Sequence, residues 1–248
     1  MRNQFARYKI CYQLLHRHIY MSEFRNFLNR EQAGKLLARK LMKYKNDDNV
    51  IILALPRGGV PIGYVIAYEL HKPLDIYLVK KIGVPGHEEL AMGAISSSGE
   101  VSIDSALVEK LQISDAELNE LVESKKTEIK DREILLRGSR PPLELANKTV
   151  ILVDDGLATG ATMLTAIRSI KKLYPSKIIA AMPVASREAI EIVQSEVEEA
   201  VCLLVPDFFY SVSVWYSDFR QTTDGEVITL LNRSSDQLKG PNKKTVAI

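Results

Sequence analysis

The chain has 248 residues, 46% of them hydrophobic and 26% charged, with a formal net charge of +2. That is enough for one sizeable core and requires no second domain. No run of 18 apolar residues occurs, so no membrane span is expected. The positive charge sits in residues 1–20: without their four basic residues, 29 basic residues face 31 acidic ones, which excludes the clustered cationic face of a nucleic-acid binder.

Residues 1–20 read as an N-terminal extension. They carry Phe5, Tyr8, Ile10 and Leu14 among basic residues, but lack the continuous apolar region and small-residue cleavage site of a signal peptide. Cys11 and Cys202 have no metal or redox spacing, and Cys202 lies in an apolar run, as a small core residue would. A cytoplasmic, reducing location fits that usage. Over residues 23–44, Phe24, Phe27, Leu28, Leu36, Leu37 and Leu41 recur at helical spacing, predicting a helical lead-in.

Residues 50–55 are apolar throughout, the pattern of a strand buried on both faces. They run into Pro56, Arg57, Gly58 and Gly59, followed by a helix over 60–70. Paired glycines let the backbone approach an anion closely, and Arg57 brings a permanent charge that matches phosphate geometry. Residues 74–79 read as a third strand closing on Lys80 and Lys81. Residues 82–93, punctuated by Gly and Pro and carrying His87, Glu88 and Glu89, read as a loop of the kind that often presents binding groups.

Short strands are expected at 94–95 and 101–103. Ser114 and Glu117 then form a capping box for a long charged helix to about Leu136, whose Lys and Glu side chains read as a solvated face. Arg137 and Arg140 stand at its end, where they could reach a phosphate but need not.

Residues 150–162 carry the most chemistry. An apolar strand, 150–153, stops at Asp154 and Asp155, and the small, hydroxylated residues 156–162 lead into helical spacing from Met163. Successive backbone N–H groups in such a loop form an anion nest: Gly160 permits close approach, Thr159 and Thr162 add hydroxyls, and the helix dipole favours negative charge. The two aspartates would repel a bare polyphosphate, so they require a group to accept from. A vicinal diol or a bound Mg²⁺ meets that need. Ribose 5-phosphate is the simplest ligand with a phosphate at one end and a cis-diol one sugar-width away. A Walker A loop is excluded because Ala161 stands where its Lys belongs, and a Rossmann fingerprint because its acid follows the glycines.

Further strands are expected at 178–184 and 200–205, with a helix over 187–197 between them. Alternating strands and helices predict an α/β fold: a mainly parallel sheet with helices on both faces and the ligand at the C-terminal strand ends. Residues 206–219 concentrate aromatics. Phe208, Trp215 and Tyr216 can stack a nucleobase, although aromatics that close a core look the same in sequence. Asp224 opens a closing helix to about Leu231, and residues 233–248 read as a polar tail.

Residues 150–162 resemble the phosphoribosyl diphosphate (PRPP) signature of type I phosphoribosyltransferases, and residues 21–232 are most similar to predicted bacterial and archaeal members whose acceptor is not established. The resemblance implies that Asp154 and Asp155 bind the ribose hydroxyls, and through ribose or water the Mg²⁺ cofactor. Ala158, Thr159, Gly160, Ala161 and Thr162 would wrap the 5-phosphate. Arg57, Gly58 and Gly59 correspond to a pyrophosphate loop, which often has an unusual peptide conformation. Residues 82–93 correspond to a mobile lid, with Lys80 or Lys81 facing pyrophosphate. A small hood would recognise the acceptor, with Phe208, Trp215, Tyr216 and Asp224 as its candidates.

The implied reaction moves ribose 5-phosphate from PRPP to a small nitrogen acceptor, such as a nucleobase, with release of pyrophosphate. Some purine enzymes carry an acid within the phosphate loop as a proton-transfer group, and Ala158 stands at that position here. Arg57, Lys80, Lys81, Asp154 and Asp155 are the catalytic candidates. Self-pairing as a homodimer is left open. So is a non-catalytic regulatory protein that binds PRPP or a nucleotide, whereas an α/β hydrolase lacks its Gly-x-Ser-x-Gly elbow here.

Overall fold

The computed structural model describes residues 26–239; the extension at 1–20, Phe24 and the end of the tail lie outside the described residues. In chain order the elements are α1 (Arg30–Leu41), β1 (Val50–Ala54), α2 (Gly59–Leu70), β2 (Leu74–Ile76), β3 (Val79–Val84), β4 (His87–Ser96), β5 (Val101–Ile103) and α3 (Ser105–Lys110). There follow α4 (Asp115–Arg137), β6 (Thr149–Val153), α5 (Ala161–Lys171), β7 (Lys177–Val184), α6 (Arg187–Gln194), β8 (Glu199–Leu204) and α7 (Asp224–Lys239).

Five strands form a parallel sheet in the order β2-β1-β6-β7-β8. Successive residues of a strand point to opposite faces, so its apolar strands feed two cores. Ile52, Ala54, Ile151, Val153, Ile179 and Ala181 pack with Leu37 and Leu41 of α1, Ile62 and Ile66 of α2, and Val227 and Leu231 of α7. Leu53, Val150, Leu152, Ile178 and Ala180 pack with Met163, Ile167 and Ile170 of α5 and with Ile190 and Val193 of α6. Helices therefore cover both faces, as the uninterrupted apolar strands predict.

Four expectations change in detail. Residues 74–79 are not one strand: β2 ends at Ile76, and β3 belongs to a separate antiparallel sheet, β3-β4-β5. Lys80 and Lys81 thus lie within β3 rather than at the end of a parallel strand. Residues 82–93 are mostly a β3–β4 hairpin. Gly83, which reads as loop punctuation, is needed there for close packing, since a Cβ on it would come within 2.6 Å of the Glu88 carbonyl oxygen.

The lead-in helix starts only at Arg30, because the Asn29 side chain accepts from the Gln32 N–H at 2.9 Å and caps it. Phe27 instead pairs with the hood: its N–H donates to Trp215 O at 2.8 Å, and its carbonyl accepts from the Ser217 N–H at 2.7 Å. Finally, α7 continues past Leu231 to Lys239. Buried Val227, Leu231 and Ser234 keep its helical face turned inward.

Candidate functional site: a crevice at the strand ends

From β1 the chain goes to β2 on one side and later to β6 on the other, so the strand order reverses between β1 and β6. The helix after β1 packs on one face and the helix after β6 on the opposite face. Their loops diverge at this point and leave a crevice at the carboxyl ends of the strands, where open α/β sheets bind ligands. Residues 55–59 and 154–160 line it side by side, joined by the Leu55 N–H donating to Val153 O at 2.9 Å. The Pro56–Arg57 peptide is cis. A Cβ on Gly58 would stand 1.8 Å from Asp155 Oδ2, and one on Gly59 would stand 2.5 Å from the Val153 carbonyl oxygen, so the paired glycines let the two loops meet.

The acid pair is packed rather than freely solvated. Asp154 Oδ1 accepts the Asp155 N–H at 2.9 Å. Burial pushes the Asp154 carboxyl well above its ordinary range, and the Asp155 charge pushes it further the same way. Burial also raises Asp155, while Arg30 pulls it back down. Arg30 donates from Nε and Nη2 to Asp155 Oδ2 at 3.0 and 2.7 Å, and from Nη1 to Arg220 O at 2.8 Å. Its guanidinium lies 3.9 Å from the centroid of the Phe219 ring. Asp155 thus keeps Oδ1 for a ligand and commits Oδ2 to Arg30.

Beyond the acids, Gly160 caps α5 with a left-handed φ of 72°, and no side chain caps the helix. The first N–H groups of a helix have no partner within it, and the neighbouring Ala158, Thr159 and Thr162 are exposed. Ser186 holds the loop by donating its hydroxyl to Ala158 O at 2.7 Å. Ala161 N–H reaches Thr159 Oγ1 at 3.4 Å. The result is a solvent-open cradle of donors at the positive end of α5, the chemistry a phosphate requires.

Arg57 faces the crevice and contacts Asp224 Oδ1 at 3.5 Å. Asp224 is held more firmly by Arg132, whose Nη1 and Nη2 donate to its two oxygens at 2.6 and 2.5 Å. Those contacts hold the Asp224 carboxyl below the ordinary range. Lys80 pairs with Glu128 of α4, and Lys125 joins the same carboxylate at 2.6 Å. Lys81 points the other way, into a cavity of about 410 Å³ that it shares with Ala161 and Thr165 of α5. His87 and Glu88 are exposed on β4. Arg137 is committed elsewhere, donating from Nε and Nη2 to Asp75 at 2.9 and 3.0 Å.

The four hood candidates do not form one surface. Phe208 is 84% exposed, whereas Tyr216 is buried. The Tyr216 hydroxyl donates to Asp155 O at 2.6 Å, and its ring packs on Phe27 and Phe219 at centroid distances of 5.4 and 5.0 Å. Trp215 is partly buried, and its indole N–H has no hydrogen-bond partner among the described residues. Asp224 lies apart from these aromatics, beside Arg57.

Arg30, Arg132 and Glu128 belong to this site and are not singled out by sequence reasoning, which assigns α1 to packing and α4 to a solvated face. A separate groove of about 1090 Å³ runs between α1, α2 and α7 and reaches Arg30 and Thr223. Its lining does not include Ala158, Thr159, Ala161 or Thr162. No group of three His, Cys, Asp or Glu side chains among the described residues is arranged to hold a metal. The free Asp154 and Asp155 oxygens are hard donors suited to Mg²⁺ held chiefly by a ligand's own oxygens.

An open, doubly wound α/β sheet with an Arg-Gly-Gly loop and an acid-pair loop at its switch point defines a class of proteins suited to phosphorylated ligands. The chain belongs to the phosphoribosyl transferase domain family, whose model matches residues 22–219, and its fold is that of the type I members. It is 33% identical over 208 residues to a Mycobacterium tuberculosis protein, found in two strains, that is provisionally named a phosphoribosyl transferase. The match covers 84% of this chain and 47% of that protein, so the chain spans about half the length of those relatives. Among solved structures, TT1426 from Thermus thermophilus is 34% identical with a TM-score of 0.73, over 84% of this chain and 98% of that one.

Proposed function

We propose that the chain transfers ribose 5-phosphate from PRPP to a small nitrogen acceptor and releases pyrophosphate. The observation that carries this reading is the contact between the two strand-end loops: the acid pair packs directly on Gly58 of the Arg-Gly-Gly loop. That contact supports a single ligand carrying a phosphate, a diol and a diphosphate. In this reading the donors of Ala158, Thr159, Gly160, Ala161 and Thr162 hold the 5-phosphate. Asp154 and Asp155 Oδ1 accept from the ribose hydroxyls, and Arg57 faces the diphosphate with Gly58 and Gly59.

Mg²⁺, held through Asp154 and Asp155 by way of ribose or water, would offset negative charge that the chain's own cations do not cover. The side chains orient the sugar and stabilise charge on departing pyrophosphate, so catalysis is positioning plus electrostatics. Lys80 and Lys81 are the lid cations nearest this task. The hood is the acceptor end in this reading: Phe208 offers an exposed ring, and Tyr216 fixes the hood onto Asp155. A cytoplasmic location and self-association as a homodimer are part of the same proposal.

Pyrophosphate release from PRPP and Mg²⁺, measured across purines, pyrimidines and other nitrogen compounds, tests the reading. Release that depends on one acceptor class is expected. Saturable PRPP binding without release under any acceptor would replace it with the regulatory alternative.

A further inference from the structure

Two carboxylates share one arrangement, and the first of them touches Arg57 of the crevice. Asp224 lies between Arg57 and Arg132, and Glu128 lies between Lys80 and Lys125. Lys125, Glu128 and Arg132 follow each other at three- and four-residue steps on α4 and so share one helix face. Arg132 is the least expected member. Its planar fork makes two hydrogen bonds to Asp224, and its side chain is 29% exposed, so it is neither sealed in a core nor loose on the surface. Two guanidiniums therefore converge on a single negative charge, and the group between them has the bidentate geometry of an anion ligand.

We propose that Arg132 and Arg57 form a two-guanidinium clamp for the diphosphate end of PRPP, with Asp224 as the carboxylate that diphosphate competes against. This rests on the reading of the crevice as a PRPP site. The charge argument sets the direction of exchange. Asp224 offers one negative charge, while a diphosphate group offers more than one and presents oxygens to both forks at once. Arg57 is poised to leave first, since its contact with Asp224 is 3.5 Å against 2.5 and 2.6 Å for Arg132. Arg132 then either shares Asp224 with the ligand or rotates onto it.

Calorimetric titration with inorganic pyrophosphate and, separately, ribose 5-phosphate tests this on the full chain with Mg²⁺. Arg132→Gln is expected to weaken pyrophosphate about tenfold and leave ribose 5-phosphate unchanged. Arg132→Lys should recover only part of the loss, because an ammonium lacks the fork. Asp224→Asn should tighten pyrophosphate severalfold by removing the competing charge. Full pyrophosphate affinity in Arg132→Gln, or an equal loss for both ligands, overturns the clamp, as does weaker pyrophosphate binding in Asp224→Asn. A wild-type chain that binds ribose 5-phosphate but not pyrophosphate overturns the clamp alone. Binding of neither overturns the PRPP reading and the clamp together.

Discussion

Arg30 and the acid pair place opposite demands on the same few atoms. Both partners of the Arg30–Asp155 pair are largely buried, with side-chain exposures of 10% and 15%. Removing one partner of such a pair leaves a charge without compensation, so Arg30→Met is expected to cost about 3 kcal/mol at neutral pH by urea unfolding. The loss should shrink on acidification, as Asp155 takes up a proton. A variant as stable as the wild type at neutral pH would contradict the pairing.

Asp154 runs the other way. Its folded-state pKa is raised above the unfolded value, so the folded state binds the proton more tightly, and stability is lost as pH rises through the folded pKa. Asp154→Asn should therefore raise the neutral-pH Tm, by about 2–4 °C for each 1 kcal/mol recovered, while weakening PRPP binding. Scanning calorimetry checks the first effect and titration the second. In the wild type, PRPP affinity should fall on acidification with a midpoint above the ordinary carboxylate range, because the ribose hydroxyls need ionised acceptors. A midpoint at or below that range would argue against Asp154 as one of them.

At the scale of elements, the antiparallel sheet is tied to the phosphate-loop helix by a cluster of hydroxyls. Tyr77 donates to or accepts from Ser169 of α5 at 2.6 Å, and Ser169 donates to Ser96 of β4 at 2.6 Å. Ser98 closes the ring, 3.0 Å from Tyr77 and 2.8 Å from Ser96. Because Tyr77, Ser96 and Ser169 are buried, losing the Ser169 hydroxyl leaves Tyr77 and Ser96 with Ser98 as their one side-chain partner among the described residues. Ser169→Ala is expected to cost about 1–3 kcal/mol. Hydrogen exchange should also quicken over β3 and β4 before the parallel sheet responds. Uniform quickening across both sheets would contradict a local tie.

The hairpin itself is the element least legible in the sequence. Gly83, Pro85, Gly86 and Gly93 are loop punctuation by local rules, yet Gly83 serves strand packing, a tertiary requirement that overrides propensity. By contrast, β1, β6 and β7 are legible because burial on both faces leaves an unbroken apolar run. The loop between β6 and α5 is legible as a strand-to-helix turn because its small residues are contiguous. Arg30, Arg132 and Glu128 are not, since their partners stand 125, 92 and 48 positions away and helix-surface charges look solvated in sequence.

Across the whole molecule, the reversal of strand order between β1 and β6 converts two separate loops into one crevice. Neither loop alone identifies a ligand; their contact at Gly58 and Asp155 relates a cation-bearing turn to an acid pair and a donor cradle. The hood is tied to this crevice by the Tyr216 hydroxyl, which donates to Asp155 O at 2.6 Å, and leaves Phe208 exposed. Among the described residues no helix is long and apolar enough to cross a membrane.

The most direct test of this account is a titration of PRPP with Mg²⁺ into the wild-type chain and into the Asp154→Asn/Asp155→Asn double variant. Saturable binding is expected in the wild type, weakened by about tenfold or more in the double variant, since each lost charge-assisted hydrogen bond to the ribose is worth more than a neutral one. Equal affinity in the two proteins, with the double variant folded, would contradict a ribose site at the end of β6.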